Sequence, residues 1–134
     1  MKITYSIHKE EAHSVISTDF FQGWPNPPSN QMLLQSILNA DYVVLAIDQD
    51  RNRLVGYITA ISDNVLSAYI PFLEVIPSYQ KQGIGHELVK RILEQLAHFY
   101  MIDLVCDKEL AGFYEEFGLV SWHAMIRRNY KTLK

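Results

Sequence analysis

Six consecutive residues, Gln80-Lys81-Gln82-Gly83-Ile84-Gly85, are the part of this chain best suited to hold an anion. They follow an apolar run that closes at Pro77 and lead into an amphipathic stretch with helical spacing. A helix N-terminus presents unpaired N–H groups and a partial positive charge. Glycines, lacking a Cβ, let an anion come close to that backbone. Gln80, Lys81 and Gln82 add side-chain donors, so the segment suits a pyrophosphate. A dinucleotide fingerprint would need a third glycine where Leu88 stands, and a nucleotide P-loop would need Lys-Ser/Thr where Gly83 is followed by Ile84. A glycine-rich turn that binds nothing has the same letters. A second candidate is Glu74, which interrupts the apolar run Phe72-Leu73-Glu74-Val75-Ile76. A carboxylate in a central strand needs a partner or a cleft, and partial desolvation in a cleft would raise its pKa toward use as a base. A solvated strand end, or an ion pair with Lys or Arg, would serve equally well in sequence terms. Cys106 closes another apolar run; a nucleophilic thiol would permit a covalent route, but no histidine neighbours it and a small packing residue is the preferred reading.

The elements that must position these residues follow from periodicity and punctuation. Residues 2–7 read as a short strand and residues 9–21 as a first helix. Gly23-Trp24-Pro25-Asn26-Pro27-Pro28-Ser29 cannot be regular structure. Ser29 or Asn30 can cap a helix carried by Met32, Leu33, Ile37 and Leu38. The runs from Tyr42 to Ile47 and from Leu54 to Ile61, joined by a polar turn, make an antiparallel hairpin. Ala68 to Ile76 is a third strand containing Pro71. Residues 84–98 form an amphipathic helix, with Ile84, Leu88, Val89, Ile92, Leu93 and Leu96 on one face. Met101 to Cys106 is a strand that completes a βαβ unit with parallel strands. Glu109 to Phe117 is a short helix stopped by Gly118, and residues 119–128 are expected to supply one or two final strands. The fold class implied is α/β in the broad sense (α+β), a central mixed β-sheet with helices on both faces.

With 134 residues, the chain is expected to form one domain over residues 1–134. A hydrophobic share of 49% with 20% charged residues suits a globular protein with its own core. A formal net charge of −3 argues against a nucleic-acid partner. No apolar run is long enough to span a bilayer, so no membrane partner is expected. Met1-Lys2-Ile3-Thr4-Tyr5-Ser6 lacks the apolar core of a secretory signal, and one cysteine precludes an internal disulfide. A cytoplasmic protein is expected, either monomer or homodimer. His8, His13, His86, His98 and His123 have no zinc-type spacing, so no metal is expected.

The phosphate-holding segment resembles the Gln/Arg-x-x-Gly-x-Gly/Ala signature of the GNAT superfamily of N-acetyltransferases. Val75-x-Pro77-x-Tyr79 before it is also similar to that family. Phe113-Tyr114-Glu115-Glu116-Phe117-Gly118-Leu119 resembles its Phe-Tyr-x-x-x-Gly-Phe element. The resemblance is specific over roughly residues 68–120 and implies a GNAT-like acyl-CoA N-acyltransferase fold. It implies that acetyl-CoA is the cofactor, leaving as CoA, and that the thioester lies in an opening between parallel strands ending near Ile76 and Cys106. The pyrophosphate would rest on the backbone of Gln82, Gly83, Ile84 and Gly85, with Gln80 and Lys81 beside it. Strand backbone at Leu73 and Val75 would pair with the pantetheine arm.

The same resemblance assigns roles. An amine must lose a proton before it attacks, and the leaving thiolate gains from a hydrogen-bond donor. Tyr114 is the implied acid, and Glu74 is the candidate base, acting directly or through a water as many family members do, or serving only in the structure. Asp107 stands where many family members carry Asn, which weakens any residue-specific role there. Phe20, Phe21 and Trp24 suggest an apolar wall for the acceptor, a small-molecule or peptide amine. The implied reaction is acetyl transfer by direct attack in a ternary complex. The alternative is a non-catalytic module of the same fold that binds or senses acyl-CoA.

Overall fold

The computed structural model describes residues 1–17 and 19–132. Five strands form one sheet in the order β1 (Ile3–Ser6), β2 (Tyr42–Asp48), β3 (Arg53–Ser62), β4 (Ser67–Val75) and β5 (Met101–Leu104). The first four pair antiparallel and β4 pairs with β5 in parallel. The helices are α1 (Asn30–Asn39), α2 (Ile84–Gln95) and α3 (Ala111–Glu115). The expected mixed sheet is present.

The central strands β2 and β3 are buried on both faces, as a strand covered on both sides requires. On one face, α2 packs its apolar stripe of Ile84, Leu88, Val89 and Ile92 against β2, β3 and β4. On the other, Phe20 meets the Tyr57 ring at 5.2 Å. Leu33 and Ile37 of α1 join the same core, and Ser29 caps α1 by accepting the Met32 N–H at 3.2 Å. Gly56 of β3 sets how near α2 comes. A Cβ there would lie 3.2 Å from the Glu74 carbonyl oxygen, 3.2 Å from Leu88 Cδ1 and 3.3 Å from Ile84 Cγ2. No larger residue permits that approach without a shift of strand or helix.

Pro71 is the middle residue of β4 and explains the shape of the sheet. It has no N–H to give to a ladder. On the β3 side the register shifts between Thr59 and Ile61 at this level. On the β5 side the parallel pairing ends one residue earlier, at Ile70 opposite Leu104. Beyond Pro71, β4 runs on to Val75 beside β3 alone.

Three expectations need correction. Residues 9–21 do not form a helix; a 3-10 segment spans Lys9–Ser14 and the chain then opens out. Thr18, which that helix would include, lies outside the described residues. Val15, Ile16, Ser17 and the aromatic pair that follows lack helical capping and favour extended or loop backbone. The helix expected over Glu109–Phe117 is a 3-10 turn, Lys108–Leu110, followed by the short α3. No strand forms in residues 119–128, where the backbone has no neighbour to complete a ladder.

Candidate active site

The phosphate-loop candidate is built by local bonds. β4 ends, Pro77–Tyr79 makes a 3-10 turn, and Gly83 is the N-cap of α2 with φ +85°. Lys81 is also left-handed, at φ +63°. The Tyr79 hydroxyl donates to Asp48 Oδ2 at 2.6 Å, and this bond holds the Asp48 carboxyl below its usual range. The turn is thereby anchored to the end of β2. Two of the expected side-chain donors are spent on the loop itself. The Gln80 amide donates to the Val75 carbonyl at 2.9 Å and the Gln82 amide to the Ser78 carbonyl at 3.4 Å. Backbone donors remain: the first bond of α2 runs from Glu87 N–H to the Gly83 carbonyl, so the N–H groups of Ile84, Gly85 and His86 precede the ladder. A Cβ on Gly85 would sit 3.8 Å from Phe113 and 3.9 Å from Val75, in ordinary contact. Loop, strand and α3 therefore converge at Gly85.

Past Ile70 and Leu104 the two parallel strands share no pairing, and β4 runs on to Val75 while β5 has ended at Leu104. Tyr114 enters this region from α3. It is 7% exposed, and burial pushes its hydroxyl up to about 12, with Cys106 adding to the effect. The Phe113 ring lies 5.0 Å from Tyr114 and 5.6 Å from Phe117, while His86 of α2 lies 4.7 Å from Phe117. These contacts fix the direction of α3. Cys106 is half-buried, and its thiol is pushed up by burial and by Asp107, the reverse of what activates a nucleophile.

Alternation along β4 separates two sets of side chains. Leu73 and Val75 share the face of α2, and Phe72 and Glu74 share the other. Glu74 accepts the Phe21 N–H on Oε2 at 3.0 Å. Burial raises its pKa above the ordinary value against the lowering effect of that bond. The wall residues expected from sequence gather here. Phe21 and Trp24 rings are 4.8 Å apart, and Trp24 lies 6.3 Å from Phe72. Phe20 and Phe21 are buried; Trp24 is 42% exposed.

Tyr57 is the site residue that sequence reasoning missed. It pairs directly with Glu74 across β3 and β4, is fully buried, and its hydroxyl has no hydrogen-bond partner among the described residues. Burial and the Glu74 charge both push it upward. The signal that flagged Glu74, a polar atom inside an apolar strand, was also available for Tyr57 in Leu54–Ile61.

Among known proteins, the model of the acetyltransferase (GNAT) family matches residues 9–119. The crystal structure of a candidate acetyltransferase from Deinococcus radiodurans is 36% identical, with a TM-score of 0.85 over 96% of this chain and 90% of that one. A GNAT-family acetyltransferase from Streptococcus pneumoniae is 28% identical, with a TM-score of 0.73 over 96% of this chain and 98% of its own. A histone acetyltransferase of Glycine max is 29% identical over 108 residues, covering 72% of this chain and 46% of that protein. The chain spans about half the length of the curated relatives it matches. With the family model covering most of its length and the same sheet beneath it, this chain belongs to the GNAT acetyltransferase family.

Proposed function

We propose that the protein is an acetyl-CoA-dependent N-acetyltransferase that moves the acetyl group to a primary amine by direct attack in a ternary complex. One observation carries the reading. The parallel strands part beyond Ile70 and Leu104, with a glycine-capped helix start on one face and a half-buried carboxylate beside an aromatic wall on the other. The backbone donors from Gln82 to Gly85 hold the pyrophosphate, with Lys81 nearby, and the parted edge of β4 at Leu73 and Val75 receives the pantetheine arm. The Val75 carbonyl already accepts the Gln80 amide, so that oxygen keeps one lone pair for the arm.

The acceptor enters from the face of Phe20, Phe21 and Trp24. Glu74, with its raised pKa, takes the amine's proton through a water. The nitrogen then bonds to the thioester carbon, the C–S bond breaks, and the Tyr114 hydroxyl donates a hydrogen bond to the thiolate. A small-molecule or peptide amine fits this acceptor face. The single free cysteine suits a reducing compartment such as the cytoplasm.

The test is thermal stability with and without acetyl-CoA, followed by thiol release with a panel of amines. Acetyl-CoA at a hundredfold excess over Kd should stabilise the fold by about 2.7 kcal/mol, a rise of about 10 °C for a chain of this size. Gly85→Val, whose Cβ the fold itself accommodates, should lose that rise in its folded form. Equal stabilisation of a folded Gly85→Val variant refutes the phosphate loop. Stabilisation without thiol release for any amine makes the protein a binding module.

A further inference from the structure

Among the described residues three buried side-chain polar atoms have no hydrogen-bond partner: Ser17 Oγ, Tyr57 Oη and Thr59 Oγ1. A buried hydroxyl without a partner is costly, and native folds rarely tolerate one. These three are not scattered. Tyr57 and Thr59 stand two apart on β3 and so share a face. It is the face away from α2, because a side chain at Gly56 would point at Ile84 and Leu88. Ser17 belongs to the segment that joins β3 at two points. At one end the Val15 carbonyl accepts the Leu54 N–H at 2.6 Å, and at the other the Phe20 ring packs on Tyr57.

Strand register decides what these hydroxyls face. Across the β2 ladder Tyr57 meets Leu45 and Thr59 meets Val43, which offer no polar side-chain atom. Across the β4 ladder Thr59 meets Phe72 and Tyr57 meets Glu74. Glu74 is thus the one polar side chain among these cross-strand neighbours. Phe21 fills one of its roughly four acceptor positions. That bond comes from a phenylalanine held at φ +64°, a conformation bulky residues rarely adopt. The fold therefore tolerates backbone strain to give this carboxylate a donor. Directly opposed side chains start about 4.5–5.5 Å apart at Cβ. A tyrosine reaches farther than a glutamate, and the Tyr57 hydroxyl does not meet the carboxylate directly. One water spans such a gap, and a buried water needs roughly two to four polar partners.

We infer that Tyr57 is a positioning residue for Glu74: its hydroxyl and that of Thr59 hold a buried water, and the water donates a hydrogen bond to the Glu74 carboxylate. The inference rests on Glu74 as the base of the proposed reaction. Tyr57 serves as a donor only, since burial and the Glu74 charge both keep its proton in place. The other elements that cover this face bring no buried charge to it. α1 and the segment Phe20–Trp24 carry no titratable side chain, and Asp19 pairs with Arg53. In Lys9–Ser14, Lys9 donates to the Ala40 carbonyl, Glu11 accepts from Ser6, and Glu10 and His13 are exposed. A donor to the ionised carboxylate offsets part of the desolvation that raises the Glu74 pKa. Removing that donor raises it further.

The experiment follows the Glu74 carboxyl by carbon-13 NMR from about pH 3 to 9, its signal assigned by its loss in Glu74→Gln, alongside the pH profile of thiol release. Tyr57→Phe should move the NMR midpoint and the rising limb of kcat/KM up together by about one pH unit, a tenfold weaker hold on the ionised form. Thr59→Val should move both the same way. The double variant should move them no farther than the larger single shift, because one water is lost in each case. Urea unfolding gives a check that needs no activity. With its Glu74 pKa raised further, Tyr57→Phe should lose about tenfold more of its folding constant at pH 7 than at pH 4, relative to wild type. A midpoint that either variant leaves unmoved overturns the inference. So does a Tyr57→Phe chain that melts higher than wild type at pH 7, the mark of a hydroxyl that held nothing. If no amine gives thiol release, the proposed reaction fails, while the NMR midpoint and the urea data still decide the role of Tyr57.

Discussion

Replacing Tyr114 by phenylalanine removes one hydroxyl from a residue already held by Phe113 and by burial, and nothing else. The size of the effect follows from the hydroxyl's environment. At about 12 it is more than a thousandfold weaker an acid than an alkyl thiol near 8.5. Full proton transfer to a free thiolate is therefore uphill, and the group acts as a hydrogen-bond donor to the departing sulfur. A hydrogen bond to a charged acceptor contributes about 1.5–3 kcal/mol, so Tyr114→Phe should lower kcat by about 10–200-fold. The melting temperature and the stabilisation by acetyl-CoA should stay within a degree or two of wild type. The assay is steady-state thiol release with an identified amine, alongside thermal unfolding. Because the wild-type hydroxyl stays protonated, the rate should show no falling limb through pH 10. A folded variant with kcat within twofold of wild type removes Tyr114 from the mechanism; a falling limb near pH 9 shows that its acidity was misread.

Glu74→Gln keeps a carbonyl oxygen for the Phe21 N–H but cannot take a proton. Its rate should fall most at neutral pH and recover at high pH, where free amine is abundant; a loss constant with pH makes Glu74 structural. The folded pKa of Glu74 is raised, so its ionisation costs stability as pH climbs from about 4.3 through the folded value. Glu74→Gln should therefore melt at or above wild type at pH 7, with the gap closing near pH 4. Gly83→Ala forces a Cβ into φ +85° and should cost about 1–2 kcal/mol in urea unfolding. Tyr79→Phe should lower the melting temperature by several degrees at neutral pH. Asp48 is depressed by that hydroxyl, so the difference should shrink as pH falls below about 3.9 toward its folded value.

The parts legible in sequence are those specified by neighbours along the chain. The Gly83–Gly85 loop, the Ser29 cap and the β2–β3 hairpin each depend on residues within a few positions, and each formed where expected. Pro71 was visible, but its consequence was not, because it depends on one ladder shifting register and another ending at the same level. Glu74 could be suspected from polarity alone. Its bond to Phe21 spans 53 positions, and its pairing with Tyr57 needs the register of two strands. Gln80 and Gln82 were expected to offer their amides to a phosphate, yet the fold uses them to tie the loop. Residues 119–128 have strand character but form no strand, since their backbone is not laid against the open edge of β5.

The closeness of α2 to β3 at Gly56 gives evolution a lever on this protein that lies outside its binding loop. The helix whose start would hold the phosphates rests on the sheet through a spot with no side chain. A mutation to alanine there changes the identity of no ligand-facing residue, yet Ile84 and Leu88 must move outward, and the helix start with them. Selection for a better-filled core and selection for a firm grip on the cofactor thus act on one codon in opposite directions. A lineage could loosen product release by that single change and restore it by trimming Leu88, without altering the signature by which its relatives are known.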